Sequence, residues 1–192
     1  MSSKDFILAS SSKDRLALLE QIGFFPKAVH SPQIDEIPFK DETPEAYVGR
    51  IALEKTRAVA EKFPQKVILA ADTIVKVGKK IIQKASCAEE QTAVMHLLSG
   101  KTHQVLTAVC VADGKGNFYQ KLCITEVLTA HLTEEEIKKY VQSGEWEGCS
   151  GYKVEGMMAG FVEKINGSYT GLIGLPLWET RILLEKAGIK SR

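Results

Sequence analysis

An unbroken apolar run that ends on a carboxylate constrains this chain more than any other feature. Val67, Ile68, Leu69, Ala70 and Ala71 follow one another without alternation, and Asp72 closes the run. Five such residues suit a strand covered on both faces, as in the centre of an α/β sheet. In open α/β sheets ligands bind beyond the carboxyl ends of such strands, so Asp72 is expected at a binding edge. The pattern resumes from Thr73 to Val77, turns at Gly78, Lys79 and Lys80, and continues through Ile81 and Ile82. That reads as a strand pair returning Lys84 towards the same end. An acid and a base so placed suit a charged substrate; the plainer alternative is a turn-capping Asp72 and a solvated Lys84.

The segments on either side add charged groups to that edge. Phe6 to Ala9 reads as a short strand, then Ser10, Ser11 and Ser12 precede a helical pattern with Leu16, Leu19 and Ile22 on one face. Ser12 is a good N-cap, and hydroxyls with free N–H groups at a helix start can cradle an anion. Arg15 falls in the first turn, where the helix dipole favours an acid, so it points to a bound anion or to a pairing with Asp14 or Glu20. Phe25 to His30 can form another strand, and residues 31 to 43 form a loop carrying Asp35 and Glu36, neither singled out by pattern alone. Thr43 caps a helix with Pro44 at its first position, and Val48, Ile51, Ala52, Val59 and Phe63 share a face. Lys55 lies on that apolar face, so its ammonium must snorkel to water or meet a buried anion.

Further along, Ser86 and Glu89 read as a capping box for a helix through Leu98, with Val94, Met95 and Leu98 inward and Gly100 as the stop. His103 to Ala112 and Phe118 to Ala130 are β-type runs joined by the turn DGKGN, with His103 better read as structural than as a ligand. Thr133 and Glu136 cap a short helix closed by Gly144. Seven of the 15 glycines fall between Gly148 and Gly174, a density that permits close backbone approach, with Met158 to Val162 and Leu172 to Leu175 expected as strands. Pro176 opens the last helix, with Leu177, Arg181, Leu184 and Ala187 on one face.

At 192 residues the chain suits one sizeable core, and a net charge of +1 gives no global attraction to nucleic acid. Cys87, Cys110, Cys123 and Cys149 are widely spaced, with no zinc-ligand pattern, and read as reduced, mostly buried thiols of a cytoplasmic protein. No window approaches the about 20 apolar residues of a membrane helix, and MSSKDFILAS does not read as an export signal.

Six segments in order carry a resemblance: LASSSKDR at residues 8 to 15, QIDE at 33 to 36, RIALEKTRAVA at 50 to 60, ILAADTIV at 68 to 75, LSGKTHQVLTAV at 98 to 109, and FVEKINGSYTGLIGLPL at 161 to 177. Together they resemble the Maf family of nucleoside triphosphate pyrophosphatases over nearly the full chain, so residues 1 to 192 are expected to form one domain. The resemblance implies an α/β fold with an elongated mixed sheet flanked by helices, two lobes with a cleft between them, and a homodimer. Inosine and xanthosine triphosphate hydrolases have a similar fold but patterns that fit this chain less well. The implied reaction releases a nucleoside monophosphate and pyrophosphate from non-canonical, modified or pyrimidine triphosphates such as dTTP and UTP. In that scheme Ser10, Ser12 and Arg15 hold the triphosphate, Thr73 and Glu155 contact substrate, and Asp72 is the general base. Glu36, Lys55 and Lys84 complete the catalytic group, with Asp72 and Glu36 holding Mg²⁺ or Mn²⁺.

Two departures bear on specificity. The common S-P-R-R form of the first motif reads Ser12, Lys13, Asp14, Arg15, and GYKVEG carries Glu155 where pyrimidine-hydrolysing relatives have glutamine. A K-x-E-G pattern is more frequent in the branch acting on 7-methyl-GTP, whereas Ala71-Asp72-Thr73 fits the pyrimidine branch. A non-enzymatic role in cell division and septum formation is the alternative from a different class.

Overall fold

Most of the expected β-type runs find their place in one mixed sheet, in a computed structural model that describes residues 5–191. Residues 1–4 of the stretch read for an export signal lie outside the described residues. The strands are β1 (Phe6–Leu8), β2 (Ala28–Val29), β3 (Val67–Val77), β4 (Lys80–Ile82), β5 (Thr102–Ala112), β6 (Phe118–Thr129) and β7 (Val162–Asn166). The helices are α1 (Lys13–Gln21), α2 (Pro44–Lys62), α3 (Ala88–Leu98), α4 (Glu134–Ser143), α5 (Tyr169–Ile173) and α6 (Leu177–Lys186), with a 3₁₀ turn at Met157–Phe161. The sheet runs β2-β1-β3-β5-β6-β7, with β4 paired to β3. β1 is parallel to both neighbours and the other pairings are antiparallel. Among the described residues no helix is long and apolar enough to cross a membrane.

Burial explains the layers. The α2 face expected from spacing is buried at Val48, Ile51, Ala52 and Val59, against Ile74, Leu106 and Cys110 or Ile68 and Ala70 of the sheet. The opposite sheet face is covered in two portions. Leu18 and Leu19 of α1 with Leu183 and Leu184 of α6 pack on Leu8, Leu69, Ala71 and Val111. Met95 and Leu98 of α3 with Ile137 and Tyr140 of α4 pack on Val75, Val105 and Val127. Along β3, Thr73 lies between Ala71 of the first cluster and Val75 of the second, and it lines the cleft.

Asp72 is not at a strand end. β3 continues through it to Val77, because β5 pairs with the whole segment, Asp72 lying opposite Ala108. On its other edge β3 pairs with β1 only over Val67 to Leu69 and with β4 only from Val75, and between those two pairings Asp72, Thr73 and Ile74 line the cleft at the carboxyl end of β1. The crevice rule therefore holds for β1, whose short length creates the opening.

Other expectations shift for local reasons. The strand expected over Phe25 to His30 shrinks to Ala28–Val29, since β1 offers only three residues to pair with. The α3 cap is Cys87, so Glu90 rather than Glu89 occupies the third helical position and accepts from the backbone N–H and hydroxyl of Ser86. Met158 to Phe161 form 3₁₀ structure and only Val162 onwards is strand. Leu172 belongs to α5, which Ser168 caps by accepting from the Gly171 N–H. In α6 the buried residues are Thr180, Leu183 and Leu184, while Arg181 pairs with Glu185 and stacks over Trp178. The Thr133–Glu136 capping box and the left-handed Gly144 are as expected. The four cysteines are free, Cys110 and Cys123 buried and Cys87 exposed. His103 is 2% exposed, shares a 2.7 Å hydrogen bond with the Tyr152 hydroxyl, and burial pushes its pKa down to about 4.

Candidate active site

Several segments far apart in sequence bring cations and carboxylates to one cleft of about 750 Å³. α2 supplies Lys55, whose ammonium neither snorkels nor floats: Nζ lies 2.6 Å from Asp72 Oδ1 and 2.8 Å from Glu36 Oε1. The side chains of Lys55 and Asp72 are 12% and 10% exposed, so the ion pair is largely withdrawn from water. Burial by itself would push the Glu36 carboxyl up, but the hydrogen bond and charge of Lys55, with Lys84 and Arg15 beyond, hold it below the usual carboxylate range.

Glu36 sits on an irregular loop, yet that loop is fastened to α2. The Tyr47 hydroxyl donates to the Glu36 carbonyl at 2.8 Å, and Arg50 donates to the Ile37 carbonyl and to both carboxylate oxygens of Glu42. Tyr47, Ile51 and Lys55 are spaced by four along one helix, so one face of α2 both holds the loop and supplies the cation. Burial first, then the charges of Asp72 and Glu36, raise the Tyr47 hydroxyl to about 12, which keeps it a donor at neutral pH.

Arg15 enters from the α1 side. Its backbone N–H is capped by Ser12 Oγ, while its guanidinium donates to the Gly174 carbonyl at 2.9 Å, Ser10 Oγ at 3.2 Å and Thr73 Oγ1 at 3.3 Å. Neither Asp14 nor Glu20 is its hydrogen-bonding partner. Thr107 donates to the Gly171 carbonyl and lies 3.0 Å from Thr73 Oγ1, so Thr73 gives its proton to Thr107 and keeps its lone pairs for Arg15. Burial draws the Arg15 pKa down and the charges of Asp72, Glu36 and Asp14 draw it up. A guanidinium carries five N–H donors. The three hydrogen bonds go to neutral oxygens and leave Arg15 two N–H groups and a full positive charge for an anion.

Lys84 and Glu155 line the same cleft from the other side, both exposed. Lys84 is fixed there by an antiparallel bridge to Ser150. The glycine-rich stretch beside it approaches closely, as its composition implied. Gly151 adopts φ +80°, with Val75 Cγ2 3.1 Å from where a Cβ would be, and at Gly156 a Cβ would collide with the Glu145 carboxylate that accepts from the Met157 N–H.

All nine residues expected at the site thus line one cleft: Ser10, Ser12, Arg15, Glu36, Lys55, Asp72, Thr73, Lys84 and Glu155. Tyr47 and Thr107 were not foreseen. The periodic spacing of Tyr47 with Lys55 was available in the sequence; the pairing of Thr107 with Thr73 depends on strand register. Among the described residues no group of three or more His, Cys, Asp and Glu side chains could hold a metal ion. Asp72 Oδ1 and Glu36 Oε1 nevertheless converge on one cation, the Lys55 ammonium, and one or two carboxylates completed by substrate phosphates is the donor set Mg²⁺ commonly takes.

With this geometry in hand, a family profile described as "Maf-like protein" matches residues 5–187. A protein of Rhodopseudomonas palustris (strain HaA2) named dTTP/UTP pyrophosphatase is 45% identical over 97% of this chain and 93% of its own. A nucleoside triphosphate pyrophosphatase of Ehrlichia chaffeensis is 43% identical over 95% of each chain. Among solved structures, the Staphylococcus aureus Ham1 protein aligns with 66% of this chain and 72% of its own at 18% identity and a TM-score of 0.47.

Proposed function

The chain belongs to the Maf family, and from that premise we propose that it hydrolyses nucleoside triphosphates, dTTP and UTP foremost, to the monophosphate and pyrophosphate. The observation that carries this reading is a single ammonium, Lys55 Nζ, held between Asp72 and Glu36 in a cleft that also presents Arg15. The names of the relatives support the pyrimidine substrates.

Polyphosphate hydrolysis needs charge neutralisation and positioning more than covalent chemistry. Arg15 binds phosphate oxygens through its two remaining N–H groups, and Ser10 and Ser12 keep the loop before α1 in shape for that contact. Lys55 occupies Asp72 Oδ1, so Oδ2 is the oxygen left to take a proton from the water that attacks the α-phosphorus. Lys55 and Lys84 offset the charge that grows on the phosphate oxygens as that bond forms. Asp72 and Glu36 would hold a divalent cation, Mg²⁺ or Mn²⁺, which when bound supplies further neutralisation and polarises a phosphoryl oxygen.

Glu155 favours a second reading. It stands exposed in the cleft as an acceptor-only carboxylate, which suits the N1–H and 2-amino donors of a guanine such as that of 7-methyl-GTP better than O4 of a pyrimidine. A panel of dTTP, UTP, CTP, 7-methyl-GTP and ITP, with and without a chelator and with pyrophosphate detection, tests both. Pyrophosphate from dTTP or UTP is the expected result; release from 7-methyl-GTP alone would transfer the assignment to the second reading. Folded protein that hydrolyses none of them would overturn the enzymatic proposal and leave a binding role.

A further inference from the structure

Lys153 faces the cleft from the wall opposite Arg15, and its backbone is held from several sides. Its N–H donates to the Tyr140 hydroxyl at 3.1 Å, and its neighbours Tyr152 and Val154 are buried at 7% and 3% exposure, Tyr152 being bonded in turn to His103. The alternation turns the Lys153 side chain out of the core and into the cleft. There its ammonium lies 3.8 Å from Asp14 Oδ1, on the first turn of α1. The two side chains are 38% and 46% exposed, and 3.8 Å is too long for a good hydrogen bond, so the pair is a loose Coulombic contact.

Asp14 adjoins Arg15 in sequence and shares the cleft with it. A polyphosphate reaching Arg15 therefore meets a like charge in Asp14, and beside it a partly exposed, loosely paired ammonium on an anchored backbone. We propose that Lys153 is a phosphate-binding side chain which Asp14 holds across the mouth of the cleft until a polyphosphate displaces it. The exchange trades a loose carboxylate contact for one with a multiply charged anion, and it joins the two walls around the substrate. This rests on the triphosphate reading of the same site, from which its test can be separated.

The test titrates inorganic tripolyphosphate into the full chain by calorimetry and measures dTTP kinetics, for the wild type and for Lys153→Ala, Lys153→Arg and Asp14→Asn. Lys138→Ala, an exposed change on α4 outside the cleft, controls for net charge. Lys153→Ala is expected to weaken tripolyphosphate binding and to raise KM by about tenfold, the scale of one charge-assisted contact. Its kcat stays near the wild-type value, Lys153→Arg restores most of the binding, and Asp14→Asn tightens it. The melting temperature stays put, since an exposed, screened ion pair contributes little to stability. Unchanged binding in Lys153→Ala, an equal loss in Lys138→Ala, or weaker binding in Asp14→Asn would overturn the proposal. Tripolyphosphate binding that follows this pattern in a protein hydrolysing no nucleotide would sink the enzymatic reading alone; nucleotide turnover indifferent to Lys153 would sink only the exchange.

Discussion

The two walls of the cleft are built on different terms. On the wall formed by α1, α2 and β3, the charged groups are tied to partners from distant parts of the chain: Lys55 to Asp72 and Glu36, Arg15 to Ser10, Thr73 and Gly174. On the opposite wall, between Glu145 and Glu155, the backbone is anchored while Lys153 and Glu155 extend into the cleft half-exposed or exposed. Electrostatic catalysis requires charges that need no reorganisation when the reaction occurs, and the partners that fix the charges of the first wall suit it to that part of the proposed hydrolysis. Discrimination between substrates needs side chains that can change without disturbing such a network, a part for which the more exposed side chains of the second wall are suited in the proposed reaction.

The largest effect should come from breaking the first wall at its centre. Asp72→Asn is nearly isosteric but cannot accept the proton, so kcat is expected to fall by roughly 10² to 10⁴ while the melting temperature holds. Wild-type turnover in the folded variant would remove Asp72 from the mechanism. Lys55→Ala should cost about a hundredfold in kcat/KM by leaving two carboxylates without their shared cation. It should also move the acid limb of the pH profile upward. Glu36 is held below the usual carboxylate range, so its charge persists as pH falls until that lowered value is reached; without Lys55 it takes up its proton at higher pH. A large loss of melting temperature with kcat/KM retained would instead make Lys55 a packing residue.

Beneath the second wall the expected effect is on stability. His103 is buried neutral with its pKa lowered to about 4, so between its ordinary value and pH 4 the unfolded chain binds a proton that the native one does not. Stability is lost as pH falls through that window, by up to about 3 kcal/mol. His103→Gln should flatten the acid limb of a denaturation series, and an unaltered limb would assign the acid sensitivity to other groups. The smallest change is Glu155→Gln, which replaces an acceptor-only group by one that also donates. It is expected to shift kcat/KM towards dTTP and UTP by up to ten- to hundredfold, the range of roughly 1–3 kcal/mol for a mispaired polar contact. An unchanged substrate profile would mean that Glu155 does not read the base.

Local pattern determined a good deal of this molecule. The buried strand at Val67, the β5–β6 hairpin, the Thr43–Pro44 start of α2 and the Thr133–Glu136 box are set by burial, turn and capping chemistry within a few residues of each position. The same local logic marked Arg15 and Lys55, because a cation in a first helical turn or on an apolar face is costly unless an anion meets it. Which oxygens those cations meet was decided only by tertiary structure. Arg15 reaches Gly174 across 159 positions and Thr73 across 58, and Thr107 orients Thr73 through a register that no single strand encodes. The mid-strand position of Asp72 likewise follows from the length of β1 and the reach of β5, since a β ladder forms only where its partner supplies the matching backbone groups.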